Sequence, residues 1–282
     1  MSVPTTQFAR VRRVTRRAVG GFSKMGVQAK FYVTSLRSLA DAAVHYKSEI
    51  VRLIAQMGLG TGALALIGGA TVVIGFLTLT GGTVIAIQGY SSLSGIGVEA
   101  FAGFVSAFVN IRLVAPVVAA IGLAATIGAG ATAQLGAMRI SEEIDALEVM
   151  GIKSVAYLAS TRVAAGVIVT IPLFCVAVIM AVVGTRLSVT IAFGQSTGVY
   201  DHYFNTFLNP WSLVWSFVQS MCMAVVIMLI HTYYGYTATG GPVGVGDAVG
   251  RATRTSLIVA SFVTLAVSLA VYGQDGQFNL SG

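Results

Sequence analysis

Charged residues are scarce in this chain of 282 residues. Only 10% of them are Asp, Glu, Lys or Arg, whereas soluble globular proteins carry about 25%. So few charges cannot cover the surface of a water-soluble fold of this length, which indicates that lipid covers much of it. The 33 glycines agree with a membrane protein, because glycine is more frequent in membrane helices than in soluble ones.

Cysteine is also scarce, and the usual nucleotide-binding motif is absent. Cys175 and Cys222 both lie in apolar runs, where cysteine usually behaves as a small hydrophobic residue, so neither indicates a disulfide. A phosphate-binding loop needs Gly-Lys followed by Ser or Thr. The two lysines that precede serine, Lys47 and Lys153, do not follow glycine. ATP-driven work would therefore need a separate ATPase subunit.

Histidines and carboxylates do not form a recognisable catalytic or metal-binding pattern. His45, His202 and His231 are far apart, and no two of them have the i, i+4 spacing of a histidine pair that binds a metal on a helix. We therefore predict no metal site and no catalytic activity. His231 lies late in the fourth apolar run, where the sequence allows either a hydrogen-bonded interfacial histidine or a proton relay.

Five apolar runs are long enough to cross a bilayer, which takes about 20 residues. None contains Asp, Glu, Lys or Arg: Gly62–Ile87, Leu113–Met138, Val163–Thr185, Trp211–Tyr234 and Thr255–Tyr272. A sixth apolar run, Ala100–Ile111, is too short to span and is predicted to be a re-entrant or outer-leaflet helix that leads into the second span. We predict an all-α integral membrane protein with about five transmembrane helices.

The basic residues predict the orientation of the chain, because Lys and Arg collect on the cytoplasmic side. With the N-terminus inside, 15 of the 17 lie on that side and only Arg112 and Arg186 lie outside. We therefore predict a multi-pass plasma (inner) membrane protein with a cytoplasmic N-terminus and an extracytoplasmic C-terminus. Aromatic residues at both ends of the fourth run have the positions of interfacial anchors: Trp211, Trp215, Tyr233, Tyr234 and Tyr236.

The N-terminal segment has a different pattern. Its apolar residues recur at helical spacing: Val33, Leu36, Ala40, Ala43, Ile50, Leu53, Ile54 and Met57. Charged residues occupy the remaining faces, as in a helix that lies in the membrane interface; an ordinary soluble amphipathic helix is the alternative. We predict two regions, a cytoplasmic or interfacial arm over residues 1–57 and a permease-like transmembrane domain over residues 58–282.

The connection between the second and third runs, Arg139–Gly151, is acidic and amphipathic. Ser141 is predicted to cap the N-terminus of a short helix, and Gly151 to end it. One face carries the apolar residues Ile140, Ile144, Leu147 and Met150, and the other faces carry Glu142, Glu143, Asp145 and Glu148. A solvated turn needs no apolar stripe, so the stripe indicates docking into a groove of a partner protein.

Several separated segments are similar, in the same order, to those of the MlaE/YrbE family of permeases of ABC lipid transporters. They are Gly128–Gly151, Tyr234–Thr253, Gln88–Tyr90, Arg112 and Pro116. The resemblance covers roughly Gly62 to the C-terminus. The tail run and the N-terminal arm most resemble the actinobacterial YrbE chains that work with Mce proteins.

This resemblance implies a permease that moves a lipid of the fatty-acid, phospholipid or sterol class. It implies a coupling helix that receives motion from a cytoplasmic ATPase and consists of Ile140, Glu142, Glu143, Ile144, Asp145, Leu147, Glu148, Met150 and Gly151. It also implies a lipid cavity between two permease chains, near Ile85, Gln88, Tyr90, Leu93 and Arg112. Arg112 could meet an anionic headgroup or a structural partner such as Glu99.

The implied partners are an ABC ATPase that uses ATP and Mg, a second YrbE-type chain and Mce-domain proteins on the outer face, with no nucleic acid. Family members often have Gly-Arg where this chain has Ala125 and Thr126, and Glu where it has Gln134. Loss of an acid and a base together favours a heterodimer. An ATP-independent secondary transporter or channel, or a membrane scaffold, remains the alternative function.

Overall fold

The computed structural model describes residues 25–59 and 69–272. The regular elements of these residues are all helical, which confirms the predicted fold class. We number the helices in chain order: α1 (25–37), α2 (Leu39–His45), α3 (Lys47–Leu59), α4 (Gly69–Ser94), α5 (Glu99–Ile140), α6 (Glu143–Val149), α7 (Val155–Ala192), α8 (Thr197–Phe207), α9 (Pro210–Tyr236) and α10 (Gly241–Tyr272).

Five helices are long and apolar enough to cross a membrane, as predicted: α4, α5, α7, α9 and α10. The first seven residues of the first predicted span, 62–68, lie outside the described residues. The predicted separate helix at Ala100–Ile111 is wrong, because this segment forms the first part of α5, which runs without a break from Glu99 to Ile140. At 1.5 Å per residue, α5 is about 60 Å long, twice the thickness of the hydrocarbon core.

Two other spans also extend beyond the predicted apolar runs. The last helix begins at Gly241 instead of Thr255, so the charged side chains of Asp247 and Arg251 lie on its first turns. Arg162, predicted to lie in the connection before the third span, is part of α7 and is only 4% exposed. One of its terminal nitrogens, Nη1, donates to the Leu158 carbonyl at 3.0 Å.

The chain crosses the bundle five times in alternating directions. The N-terminal arm and the C-terminal end of the last helix therefore lie on opposite sides of the bundle. We call the side with α1–α3 and α6 the arm end, and the side with α8 the far end. Arg112 and Arg186 both lie toward the far end, where Arg112 donates to Ser212 at 2.9 Å and Arg186 pairs with Asp201 at 2.7 Å. The structure thus separates these two arginines from the arm, as their predicted location requires.

The N-terminal arm packs on the spans with part of its predicted apolar face. Ile50 and Leu53 of α3 are buried against Ala165 of α7, and the Ser160 hydroxyl of α7 donates to the Ser35 carbonyl of α1 at 2.8 Å. Val33, by contrast, stays exposed. The arm is therefore fastened to the third span at one face and leaves another face open.

Small residues let the spans approach closely. A Cβ atom at Gly128 would lie 2.6 Å from the His231 ring, and one at Gly136 would lie 2.8 Å from Val245. A Cβ atom at Gly82 would overlap the carbonyl oxygen of Ala181. These glycines therefore serve packing within one chain, whereas Gly130 has open space where its side chain would be.

Buried hydroxyl, amide and imidazole groups join the helices inside the bundle. Asn110 of α5 donates to Thr185 of α7 at 2.6 Å and to Ser106 at 3.0 Å. His231 is fully buried, with Nδ1 2.8 Å from the Thr132 hydroxyl and Nε2 3.2 Å from the Ser256 hydroxyl. The hydrogen bonds of His231 thus connect three spans, α5, α9 and α10, and His231 does not lie at the membrane interface.

Candidate functional site

The short helix α6 is the first candidate site, and a sharp turn sets its position. Glu142 has φ 61°, the only non-glycine residue in the described part of the chain with a left-handed backbone. Ser141 is not the N-cap that was predicted: it follows the last residue of α5, and its hydroxyl donates to the Ala137 carbonyl at 3.0 Å. The turn at Glu142 therefore folds α6 back against the arm end of α5.

Gly151 ends α6, as predicted. It has φ 76°, and its N–H donates to the Glu148 carbonyl at 3.0 Å. The next N–H, of Ile152, donates to the Leu147 carbonyl at 3.0 Å. This is the paired hydrogen-bond pattern that closes helices at a left-handed glycine, and it directs the chain into the first turn of α7.

The apolar stripe of α6 is divided between this chain and the outside. Ile144 is fully buried against Leu135 of α5 and Leu158 of α7, and Leu147 is half-buried against the same cluster. Ile144 is therefore covered within this chain, whereas Leu147 and Ile140 keep part of their surface exposed, and docking of α6 stays a prediction. Val149 is 89% exposed and Met150 66% exposed, so the most exposed apolar surface lies at the end of α6.

Ion pairs and hydroxyl contacts occupy part of the acidic face of α6. Arg139 donates to Asp145 at 2.6 Å, and the Ser141 hydroxyl oxygen lies 2.9 Å from a carboxylate oxygen of Glu143. Beyond the helix, Lys153 pairs with Asp41 of the N-terminal arm at 3.2 Å. These exposed pairs contribute little to stability individually, but they fix the orientation of α6 against the helices on either side.

Glu148 has contacts that sequence reasoning missed. Its Oε1 accepts a hydrogen bond from the Ser154 hydroxyl at 2.6 Å and one from the Tyr236 hydroxyl at 3.0 Å. The two hydroxyls are themselves 2.8 Å apart. The interfacial position of Tyr236 at the end of a span gave no signal for this contact, because the residues it joins are 88 positions apart. We call these three residues the Glu148 triangle.

A cavity of about 350 Å³ is the second candidate site. It lies in the arm half of the bundle, between α3, the beginning of α4 and the last third of α5. Its lining is apolar apart from one hydroxyl and two amides, and consists of Leu53, Gln56, Met57, Gly69, Ala70, Val73, Thr126, Ile127, Gly130, Ala131 and Gln134. Thr126 and Gln134, which the sequence analysis singled out, both lie in this lining.

The residues predicted to line a lipid cavity lie in a different place, toward the far end. Tyr90 stacks on Phe193 with ring centroids 4.3 Å apart, and Arg112 lies over the Phe108 ring at 4.2 Å. Gln88 is exposed, while Ile85 and Leu93 are half-buried. Because the predicted cavity lies between two chains, its lining stays a prediction in the structure of one chain.

The comparisons with known proteins fit this architecture. Five apolar spans, two of them joined at the arm end by a short acidic helix, define a multi-pass membrane protein. The family model for permease MlaE matches residues 60–270, about three quarters of the chain. The chain therefore belongs to the MlaE permease family.

Curated relatives are named as transporter subunits. A probable ABC transporter permease protein of Rickettsia bellii is 31% identical over 70% of this chain and 74% of its own length, and one of Rickettsia felis is 30% identical over the same shares. The Arabidopsis thaliana protein TRIGALACTOSYLDIACYLGLYCEROL 1, chloroplastic, is 30% identical over 64% of this chain and 53% of its own length. The chain is thus an ABC transporter permease subunit, which works with an ATPase partner.

Proposed function

We propose that this permease moves a lipid across or out of the membrane, and that its cavity at the arm end holds an acyl chain. The cavity is the observation that carries the proposal. Its volume of about 350 Å³ falls in the range of small-molecule sites, and it lies between two spans, α4 and α5, and the arm helix α3. An apolar lining of this kind stabilises an acyl chain by about 0.8 kcal/mol per methylene relative to water.

The name of the Arabidopsis relative supports a lipid substrate, because it contains the name of a galactolipid. The uncharged lining restricts the headgroup contacts at this site to hydrogen bonds. Gln56 and Gln134 each carry an amide that donates and accepts, and neither is hydrogen-bonded to a described side chain. A hydroxyl, ester or amide group of a lipid would satisfy them.

Work on the lipid would come from the ATPase partner through α6. We expect ATP and Mg to bind to that partner, and the exposed pair Val149 and Met150 to enter its groove. Release of the lipid needs a conformational change that lowers the affinity of the permease for it. A switch between two states that bind the lipid equally well would not promote its release. The complex would also contain a second YrbE-type chain and Mce-domain proteins on the outer face of the plasma membrane, with the arm in the cytoplasm.

The test of the cavity is a bulky substitution where the structure leaves space. Gly130 lines the cavity and a Cβ atom there meets nothing within 4 Å, so Gly130→Trp should fill the cavity without disturbing the fold. The complex purified in detergent should then lose most of its co-purifying lipid, measured by mass spectrometry. Gly250→Trp is the matched control, because Gly250 also has open space but lies on α10 outside the cavity. Equal lipid content in both variants would contradict the proposal.

The docking surface on α6 is tested separately. Met150→Asp places a charge on the exposed apolar end of α6, and the ATPase should no longer co-purify with the permease. Ile96→Asp is the control, since Ile96 is similarly exposed but lies at the far end, beyond α4. ATPase retained by the Met150→Asp variant would show that α6 is not the docking element.

A further inference from the structure

We infer that Tyr236 transmits the movement of α6 to the fourth span, and thus that the permease is driven through three spans at once. The covalent chain already joins α6 to α5 and α7, whereas α9 is distant in sequence. The Glu148 triangle connects α6 to α9. Glu148 accepts one hydrogen bond from Ser154, directly before α7, and one from Tyr236, the last residue of α9. The inference rests on the proposed role of α6 in coupling.

The hydrogen bonds of the triangle are of the kind that can make α9 follow a movement of α6. Glu148 accepts both hydrogen bonds as a carboxylate, and hydrogen bonds to ionised groups are roughly twice as strong as neutral ones. The three contacts share two hydroxyl protons, so when both hydroxyls donate to Glu148 their own contact at 2.8 Å is not a hydrogen bond. A shift of any one member still changes its distance to both others. The apolar cluster of Ile144, Leu135 and Leu158 lies beside the triangle, and the Tyr236 ring packs against that cluster.

The arm end of α9 is in turn rigidly joined to its neighbours. A Cβ atom at Gly235 would lie 2.8 Å from the Leu135 side chain and 2.8 Å from the Thr132 carbonyl oxygen. Three residues beyond Thr237 the chain turns at Gly240 and Gly241, with φ 92° and 69°, and enters α10. A displacement of Tyr236 therefore reaches both α5 and the beginning of the last span without a flexible linker.

The structure also provides a mild way to break this tie. In Tyr236→Phe only the hydroxyl is lost, and the ring keeps its contact with Phe31 of the arm at 5.3 Å and with the apolar cluster. Tyr234→Phe is the matched control: its hydroxyl lies 3.4 Å from the Thr255 hydroxyl of α10 and is not part of the triangle. Both variants remove one tyrosine hydroxyl from the same helix end.

The experiment uses the complex of permease and ATPase in vesicles of phosphatidylethanolamine and phosphatidylglycerol that carry a fluorescent phospholipid. The rates of ATP hydrolysis and of phospholipid transfer are measured together. Tyr236→Phe should keep ATP hydrolysis and lower the number of lipids moved per ATP by about tenfold, since a hydrogen bond to a charged group changes an equilibrium by about that factor. Tyr234→Phe should keep the wild-type ratio. An unchanged ratio in Tyr236→Phe would overturn the inference.

A second measurement does not depend on the lipid chosen. A cysteine at Thr239, exposed beyond the end of α9, is placed in a chain whose Cys175 and Cys222 are replaced by alanine. The rate at which this cysteine reacts with a water-soluble maleimide should differ by about threefold between nucleotide-free and ATP-trapped complexes. Tyr236→Phe should abolish that difference. A change that persists in Tyr236→Phe refutes the tie. A wild-type complex that hydrolyses ATP but moves no phospholipid refutes only the proposed lipid function.

Discussion

In the far half of the bundle, α4 and α7 pack backbone against backbone, whereas in the arm half the neighbouring helices leave a cavity between them. The close contact centres on Gly82 and Gly184, where a Cβ atom would overlap a carbonyl oxygen of the opposite helix. Nearby, Asn110 and Tyr200 complete a buried hydrogen-bond network through Ser106. The far half is thus held by contacts that allow no sliding.

The arm half also has close contacts, as at Gly128 and Gly235, but it leaves open space beside Gly130. The cavity there lies directly under α3. A bundle that is tight at one end and open at the other can change its width by pivoting about the tight end. This difference leads to four predictions, which begin with the strongest test of the tight end.

The largest effect is expected for Gly184→Val, compared with Gly130→Val in the arm half. A side chain at Gly184 would overlap the Leu79 carbonyl oxygen, whereas one at Gly130 meets nothing within 4 Å. Overpacking that forces backbone shifts costs about 3 kcal/mol or more, so Gly184→Val should fail to give a folded protein. Gly130→Val should melt within a few degrees of wild type in detergent. If both variants melt alike, the two halves do not differ in packing.

A smaller effect is expected from removing one amide in each half. Asn110 donates to Ser106, Thr185 and the Ala181 carbonyl, so Asn110→Leu should destabilise the fold by roughly 1–2 kcal/mol. Gln134 has no described hydrogen-bond partner, and Gln134→Leu should leave the melting temperature nearly unchanged but alter the lipid retained by the purified protein. A large loss of stability in Gln134→Leu would mean that the arm half is as firmly bonded as the far half.

The sequence predicted the parts of this architecture that follow from periodicity and charge. Five uncharged runs marked the spans, and Gly151 marked the end of α6. The predicted ends of the helices were wrong where polar residues continue a helix, as at Asp247 and Arg251 in α10. A hydropathy criterion ends a span at a charged residue, whereas the backbone hydrogen bonds of a helix continue past it. Ala100–Ile111 was misjudged for the opposite reason: its apolar length was short, but it continues into the next run.

The candidate site was predicted only in its local part. The acids of α6 and its apolar face could be derived from spacing, but which apolar residues face a partner could not, because Ile144 is buried by side chains from two other helices. The same holds for the Glu148 triangle and for the cavity. Each joins residues that are far apart in the chain, so no spacing within one sequence identifies them.

The difference between wild type and Tyr200→Phe in an alkaline titration should report on the far half. Burial raises the pKa of the Tyr200 hydroxyl to about 12, against hydrogen bonding to Ser106, which lowers it. The unfolded tyrosine ionises near pH 10, so this contribution to stability is complete below pH 10 and is lost as the pH rises to 12. Tyr200→Phe should cost roughly 1 kcal/mol at pH 7, and its deficit should shrink above pH 10. Tyr203→Phe, whose hydroxyl bonds to no described residue, should keep the wild-type alkaline slope.

The smallest effect is expected at the arm, in acid. Hydrogen bonding from Arg52, at 2.6 and 2.8 Å, holds the pKa of Glu49 below its usual value of 4.5. A lowered carboxyl pKa stabilises the fold above pH 4.5, and this stability is lost as the pH falls through the folded pKa. Because the Arg52 side chain is 63% exposed, less than about 1 kcal/mol is at stake, and high salt should reduce it.

This small effect distinguishes the behaviour of the two halves most directly. The helix α3 covers the cavity, whereas the far half contains no part of the cavity. Acid should loosen α3 and release bound lipid before the bundle melts, and Glu49→Gln should show the same lipid release already at pH 7, with no further acid dependence from this pair. Lipid content and melting temperature measured on the same samples between pH 7 and pH 3.5 provide the check. If lipid release and melting coincide at every pH, the cavity opens only when the far half does, and the pivot about the tight end is wrong.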